Sequence, residues 1–599
     1  MKDKRHSTLQ KLNTLHLMFQ RSTVTNVQTF NKKGESSSYT EGMRLVEECA
    51  ELSEYFKTSK YNLSLGCQLT LDNVDIVLKN KLEHWILCYS RMDPLDCKTL
   101  SNELPEFDLT KVTADVVYLK TNEVDYLNKI CQTVLTKKMA EFFPGLSFIL
   151  KHVPFEPLHS YKDMFTKQDV FVEMLEPLNE MEHGDMARML SMCQSMVLKR
   201  LNTLTGFEYD EEIQTTINQS GTVEEVNKAE DVVKQKMEEW GNVILGGDLL
   251  TVERIEQNKS LRQSNLSYFE QLGFLGQSRV AVFHFRQNLV LKLFANLLPN
   301  LENSDNPGSL NIFRALTIKA KDLSNRENKI KDNFELHFQF ILAVSEIFLE
   351  QKLKSTVKDA FGVTDVKKVA LVLKSKTEAE FIELLESVVN RPAHSVFVNG
   401  EDAFEEPKSE ECDDLENMGN FFVSVWFILK SLDFIVKTGD PHGIRLFKKN
   451  GILLTLSLHS TSSKYVHQLF QELMAVEQMS ERQMLRWSAG HFIKFHGKQS
   501  EGDKIRAQDM NLRAEDMVCE WMVEKVKNSL KSLGGNYTEE TVEKKTKATS
   551  LVGAILDYDC RSLLNAVSSG PGHSWSRFED EEIQRFRDYV ESLRPFRSL

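Results

Sequence analysis

The stretch SYTEGMRLVEECAELSEYFK, residues 38–57, opens on Ser and Thr, carries an early Glu and repeats apolar residues at helical spacing. It predicts an amphipathic helix. LGCQLTLDNVDIVL then alternates polar with apolar residues and is rich in β-branched side chains, which predicts a half-buried strand over 66–78. A second strand is predicted over TADVVYLK, residues 113–120, after which the chain reads as mainly helical to KMEEW at 236–240. Two more strands are predicted at VILGG, 243–247, and RVAVFHF, 279–285. From Gln287 onward the pattern is almost entirely helical, as in QNLVLKLFANLLPNL, NFELHFQFILAVSEIFLEQKL and NFFVSVWFILKSLDFIVKTGD.

Breaks in this pattern divide the chain. Residues 1–40 are polar, end near NKKGESSS and predict a poorly ordered lead-in with one short helix. Residues 41–290 hold the strands and form an α/β core, 291–398 are helical, and NGEDAFEEPKSEECDDLEN at 399–417 predicts an exposed acidic loop. Residues 418–567 are helical again and complete the core, and 568–599 predict a Gly-Pro-Gly turn followed by a last helix. The fold class expected is α+β, a mixed-sheet core in the first half with a large helical insertion and a helical C-terminal half. No internal repeat is visible, which argues against a solenoid.

At 599 residues the chain exceeds one compact core. With 41% hydrophobic and 27% charged residues it has the composition of a soluble globular protein. No uninterrupted apolar run reaches the roughly 20 residues of a membrane helix, and the first residues lack a signal-peptide pattern. No membrane partner is expected, and the expected location is intracellular, nucleus or cytoplasm. Nine cysteines stand singly at 49, 67, 88, 97, 131, 193, 412, 519 and 560, so neither a zinc finger nor a disulfide framework is legible. A net charge of -13 excludes nonspecific coating of nucleic acid. Any contact with DNA must be local.

The candidate chemistry lies in acids on the predicted strands. Asp72 and Asp75 sit on the first, Asp248 follows Gly246 and Gly247 at the end of VILGG, and Glu253 comes just beyond. Acids delivered from the ends of neighbouring strands suit hard cations such as Mg²⁺ or Mn²⁺, two of which can clamp the attacking and leaving oxygens of a phosphodiester. That order is compatible with a ribonuclease-H-like core. The plainer reading is a strand ending in a turn, with glycines supplying positive φ and Asp248 bonding its own turn.

Six blocks occur here in the order of similar blocks in a eukaryotic family called domain of unknown function 6589: LDNVDIVLKNKLEHWI, GGDLLTVERI, VAVFHFRQNL, KTGDPHGIRLFKK, SKYVHQLFQELM and the segment beginning GDKIRAQDMNLRAEDM. The chain resembles that family over roughly residues 60–560. The resemblance implies a transposon-derived protein with a ribonuclease-H-like transposase core. It implies that Asp72 or Asp75 is the acid of a DN-x-D strand, that Asp248 is the acid of GD-x-x-T, and that His284 and His84 are the histidines of the FH-x-x-x-N and HW patterns. The third acid implied is Glu515, with Asp433 as the alternative. The plainer readings make His84 and His284 packed histidines, the latter in a strand between Phe283 and Phe285, and place Glu515 on a solvated face near Arg506, Arg513, Lys525 and Lys527. Likewise FFVSVWF reads as core rather than as a base-stacking platform, because no basic residues interleave it.

The spacing between DNVDI and EHW is shorter than the family's, and no DNA-binding module precedes the first block. The function expected is therefore that of a transposon-derived protein, domesticated or inactive, of otherwise uncharacterised role. One alternative is an active Mg²⁺-dependent enzyme that cleaves or transfers DNA strands, and another is a helical protein-interaction scaffold with no nucleic-acid role. Walker loop, GxSxG elbow and HExxH helix are absent from the sequence.

Overall fold

The computed structural model describes residues 8–557 apart from short gaps and the stretches 61–65, 108–117, 143–158, 206–230, 298–309, 316–322, 384–413, 458–462, 495–511 and 532–537. It is a mixed α and β structure, mostly helical. The chain begins with helices α1 (Thr8–Phe19), α2 (Val24–Lys32) and α3 (Tyr39–Lys60), then strands β1 (Cys67–Leu78) and β2 (Lys81–Met92). Helix α4 (Thr121–Phe142), strand β3 (Val170–Glu176), helix α5 (His183–Thr205), strand β4 (Val243–Gly247), helix α6 (Leu249–Arg262), strand β5 (Leu275–Val280) and helix α7 (Val282–Leu297) complete the sheet-forming half. Helices α8 (Leu310–Ala315), α9 (Glu327–Asp332), α10 (Phe334–Phe361), α11 (Asp414–Thr438), α12 (Pro441–Ser457), α13 (Ser463–Glu477) and α14 (Glu481–Ala489) follow. A short pair, β6 (Phe492–Lys494) and β7 (Leu512–Ala514), leads into α15 (Glu515–Lys531) and α16 (Glu539–Asp557).

Two compact units result. One comprises residues 1–56 with 528–599, the other residues 57–527. The smaller packs Leu15, Met18, Val27, Val46 and Ala548 together. Within it the Lys545 ammonium donates to the carbonyls of Met18 at 2.8 Å and Ser529 at 2.5 Å. Burial pushes that ammonium down to about 7. Residues 8–32, expected as a poorly ordered lead-in with one short helix, contain two helices.

The larger unit holds a five-stranded sheet in the order β3-β2-β1-β4-β5. Strands β1 and β2 form a long antiparallel hairpin from Cys67↔Met92 to Leu78↔Lys81, and β2 pairs antiparallel with β3. On the other side β1 runs parallel to β4, and β4 parallel to β5. Strand β1 is thus central, and Gln68, Leu69, Thr70 and Leu71 are all buried as a doubly covered strand requires. The face carrying Leu71 and Cys88 meets α5, where Cys193 Sγ lies 3.7 Å from Cys88 Sγ.

The opposite face is polar, and its order explains itself through hydrogen bonding. Arg279 on β5 donates Nη1 to Gln68 Oε1 at 2.7 Å and holds Glu515 Oε2 at 3.0 Å through Nη2. Arg91 on β2 donates to the same Gln68 oxygen at 2.8 Å, and Gln68 Nε2 donates to Asp93 Oδ1 at 2.7 Å. Thr70 and Tyr89 both donate to Glu515 Oε1. Hydrogen bonds of this kind offset much of the cost of burying polar groups. Gly246 makes room for the layer: a Cβ there would stand 2.9 Å from Thr70 Oγ1 and 3.2 Å from both Arg279 Nη2 and Glu515 Oε2.

The strands expected at 66–78 and 243–247 are present and adjacent. Of the strand expected at 113–120, residues 113–117 lie outside the described residues; β3 forms at Val170–Glu176, within a stretch read as helical. The expected strand at 279–285 is corrected as well. Pairing stops at Val280, where the Ala281 N–H donates to Gly247 O at 3.0 Å, and the chain enters α7, burying Val282, Phe285 and Leu289 at helical spacing. Of the acidic loop at 399–417, residues 399–413 lie outside the described residues and 414–417 begin α11. FFVSVWF lies in the core of α11: Phe422 stacks on Phe348 of α10 with ring centroids 5.2 Å apart, and Trp426 is buried. Residues Gly419–Thr438 of α11 are long and apolar enough to cross a membrane, contrary to the sequence expectation, but 67% of that window is buried inside this unit.

The polar layer predicts a measurable cost. Arg279→Met leaves Glu515 buried without its counter-charge and should destabilise the unit by about 3–5 kcal/mol, whereas adding Glu515→Met should recover most of the loss. Urea unfolding followed by tryptophan fluorescence checks both, since Trp487 is fully buried in the same unit.

Candidate functional site

Gln68, Thr70 and Asp72 alternate onto one face of β1. Thr70 pairs with Gly246 in the parallel register, so Asp72, midway along β1, and Asp248, just past the end of β4, stand two residues beyond that pair, where the parallel pairing stops. Asp248 has extended backbone (φ -66, ψ 178) and caps α6, its Oδ1 accepting from the Thr251 N–H at 2.7 Å. This is ordinary N-cap chemistry. Neither glycine before it has positive φ. Gly247 is needed for close approach instead, because a Cβ would meet Thr251 Cγ2 at 2.7 Å and Leu71 O at 3.3 Å.

Thr251 also organises a second acid. Its Oγ1 donates to Glu180 Oε2 at 2.9 Å from the turn between β3 and α5, where Glu180 is buried. On the opposite flank His284 of α7 meets α15. Its backbone N–H donates to Asp516 Oδ2 at 2.9 Å, its Nδ1 lies 3.2 Å from the same oxygen, and its Nε2 lies 3.2 Å from Glu520 Oε1.

Charge repulsion links these groups. The Asp72 carboxyl is pushed well above the usual carboxylate range, first by burial and then by the negative charges of Glu520, Asp248 and Glu180, with His284 opposing. Burial, reinforced by Asp248, raises Glu180 to about 7 against the pull of the Thr251 hydroxyl. Burial alone would lower His284, but Asp516 and Glu520 outweigh it and hold the imidazole well above its ordinary value. At neutral pH it is therefore an imidazolium between two carboxylates.

Of the candidates read from sequence, Asp72 comes within electrostatic reach of both Asp248 and His284. Asp75 and His84 instead face each other across the exposed hairpin, 2.8 Å apart. Glu515 lies on no solvated face: it is buried in the ion pair with Arg279. Asp433 pairs with Lys437 of its own helix at 2.9 Å. Glu180, Asp516 and Glu520 were missed. Asp516 and Glu520 had a signal, since an i,i+4 pair shares one helix face while Glu515 and Cys519 share the next; Glu180, in EPLNEMEHGD, had none.

The donors gathered here are carboxylate oxygens with one imidazole, the set that suits Mg²⁺ or Mn²⁺. Among the described residues no group of three or more His, Cys, Asp or Glu side chains is drawn close enough to hold a metal ion as it stands.

A raised carboxyl pKa makes the folded state bind more protons than the unfolded chain, so stability falls as pH rises from the unfolded toward the folded value. For Glu180 that window runs from about 4.5 to about 7. Glu180→Gln, which still accepts from Thr251, should stabilise the protein on the order of 2 kcal/mol at pH 7.5, and the gain should vanish near pH 4. Denaturant midpoints at the two pH values check it.

Residues 213–554 match the model of a family of unknown function, DUF6589. No curated protein and no solved structure is similar to the chain at a significant level. The family match takes in β4, the Asp248 cap, His284 and all of α15, more than half of the chain, and the protein therefore belongs to the DUF6589 family.

Proposed function

We propose that this is a transposon-derived protein with a ribonuclease-H-like transposase core, and that Asp72, Asp248 and Glu520 are the carboxylates of a divalent-cation site acting on DNA phosphodiesters. The observation that carries the reading is the placement of Asp72, midway along β1, beside Asp248, just past the end of the neighbouring parallel strand β4, with the Asp72 carboxyl pushed up by burial and the surrounding acids. The sheet supports it: three antiparallel strands are followed by two parallel ones, with the acids at the central strand and its parallel neighbour. Glu520 takes the place expected for Glu515, because Arg279, Thr70 and Tyr89 already occupy Glu515.

Bound Mg²⁺ or Mn²⁺ would supply Lewis-acid polarisation of the phosphate and activation of a water. Asp248 is held for that purpose by its own helix cap, which uses Oδ1. Asp72 is fixed by the buried first half of β1, and Glu520 projects from the helix that Glu515 anchors.

A second reading, a domesticated chain that keeps the fold without cleavage, is favoured by His284, whose Nε2 lies 3.2 Å from Glu520 Oε1 and supplies a positive charge inside the site. Purified protein incubated with labelled DNA and Mg²⁺ or Mn²⁺ separates the two. Cation-dependent nicking that falls at least a hundredfold in Asp248→Asn, a variant that preserves the cap, is the outcome expected of the cation site. DNA left intact by the wild type under both cations points to the domesticated reading.

A further inference from the structure

The block GGDLLTVERI contains a cation that the acid site leaves unused. Arg254 lies on α6, six residues beyond Asp248, and it is close enough to Glu180 to oppose the rise of that carboxyl. Several cations around the sheet are ion-paired, Arg279 with Glu515, Arg486 with Asp93, Arg200 with Glu173 and Lys464 with Glu253, whereas Arg91 is buried among neutral acceptors. Among the described residues no carboxylate pairs with Arg254, and its partners are neutral: Nη1 donates to Gln257 Oε1 at 3.0 Å and lies 3.1 Å from His183 Nε2. A guanidinium has no acceptor, so His183 accepts through Nε2 and is unprotonated there. The Nε of Arg254 is buried without a hydrogen-bond partner. One nitrogen is thus held by two neutral groups, and among the described residues no carboxylate is in direct contact with the charge, although Glu180 lies within its electrostatic reach. Such a guanidinium suits a phosphate, whose oxygens it can engage with two donors at once.

We propose that Arg254, positioned by His183 and Gln257, binds a backbone phosphate of DNA beside Asp72 and Asp248. The inference rests on the cation-site reading above and adds a contact outside the carboxylates. In a chain of net charge -13, a fixed cation next to the acids would set where the phosphodiester lies; phosphate contacts of this kind set register without reading sequence.

Anisotropy titration of a short labelled DNA duplex in Ca²⁺, over a series of NaCl concentrations, tests it. Arg254→Ala should bind about tenfold or more weakly, the loss expected for one charge-assisted hydrogen-bonded contact, and its salt slope should fall by about one. Arg254→Lys, which keeps the charge and guards against misfolding of the alanine variant, should fall between the two, and Lys354→Ala on α10 should match the wild type. Wild-type affinity and salt slope in both Arg254 variants, or no binding of the duplex by the wild type, would overturn the assignment. Mn²⁺ binding measured on the same preparations keeps the two ideas apart. Arg254→Ala should retain it, whereas its absence from the wild type would count against the cation site and not against the phosphate contact.

Discussion

The ion pair of Arg279 with Glu515, laid across the bare backbone of Gly246, is the constraint on which the arrangement of the site depends. It joins β5 to the first turn of α15 over Gly246 of β4 and Thr70 of β1. A side chain at 246 would occupy the space that the guanidinium and carboxylate use. Because Glu515 is pinned, the rotation of α15 about its axis is fixed, and Asp516 and Glu520 are turned toward His284. The charges are offset by dense hydrogen bonding rather than by solvent: Gln68 alone joins Arg91, Arg279 and Asp93.

Above that layer the acids are frustrated. Asp72 and Glu180 have carboxyls raised by burial and mutual repulsion, and one imidazolium offsets part of the charge. Natural proteins keep such destabilising groups where function requires them. Asp248 is tied into a helix cap that any stable fold could use. A capping role and a ligand role are compatible, since the cap employs one oxygen of the carboxylate.

Much of this was legible in the sequence where local pattern and tertiary environment agree. LDNVDI alternates as a strand and is one, and VILGG followed by an acid gives a buried strand running into a capped helix. RVAVFHF failed because a run of β-branched and aromatic residues carries no mark of where pairing ends, although Val282, Phe285 and Leu289 already held helical spacing. VFVEMLE was read into a helical stretch although Pro177 and Asn179 mark a turn directly after it. That Glu515 faces inward was not legible, because position in a motif says nothing about which face of the helix meets an arginine 236 residues earlier, as 515 less 279 gives. Asp75 and His84 could not be told from the Asp72 group by sequence, since a cross-strand pair in a hairpin uses the same residue types as a metal site.

The central claim, that Asp72, Asp248 and Glu520 close on a divalent cation, is tested most directly by anomalous diffraction from crystals of the protein grown with Mn²⁺. The account predicts a manganese peak between Asp72 and Asp248 with a carboxylate oxygen of Glu520 drawn away from His284 and into coordination. A peak confined to the Asp75 and His84 pair, or no peak at millimolar Mn²⁺, would contradict it.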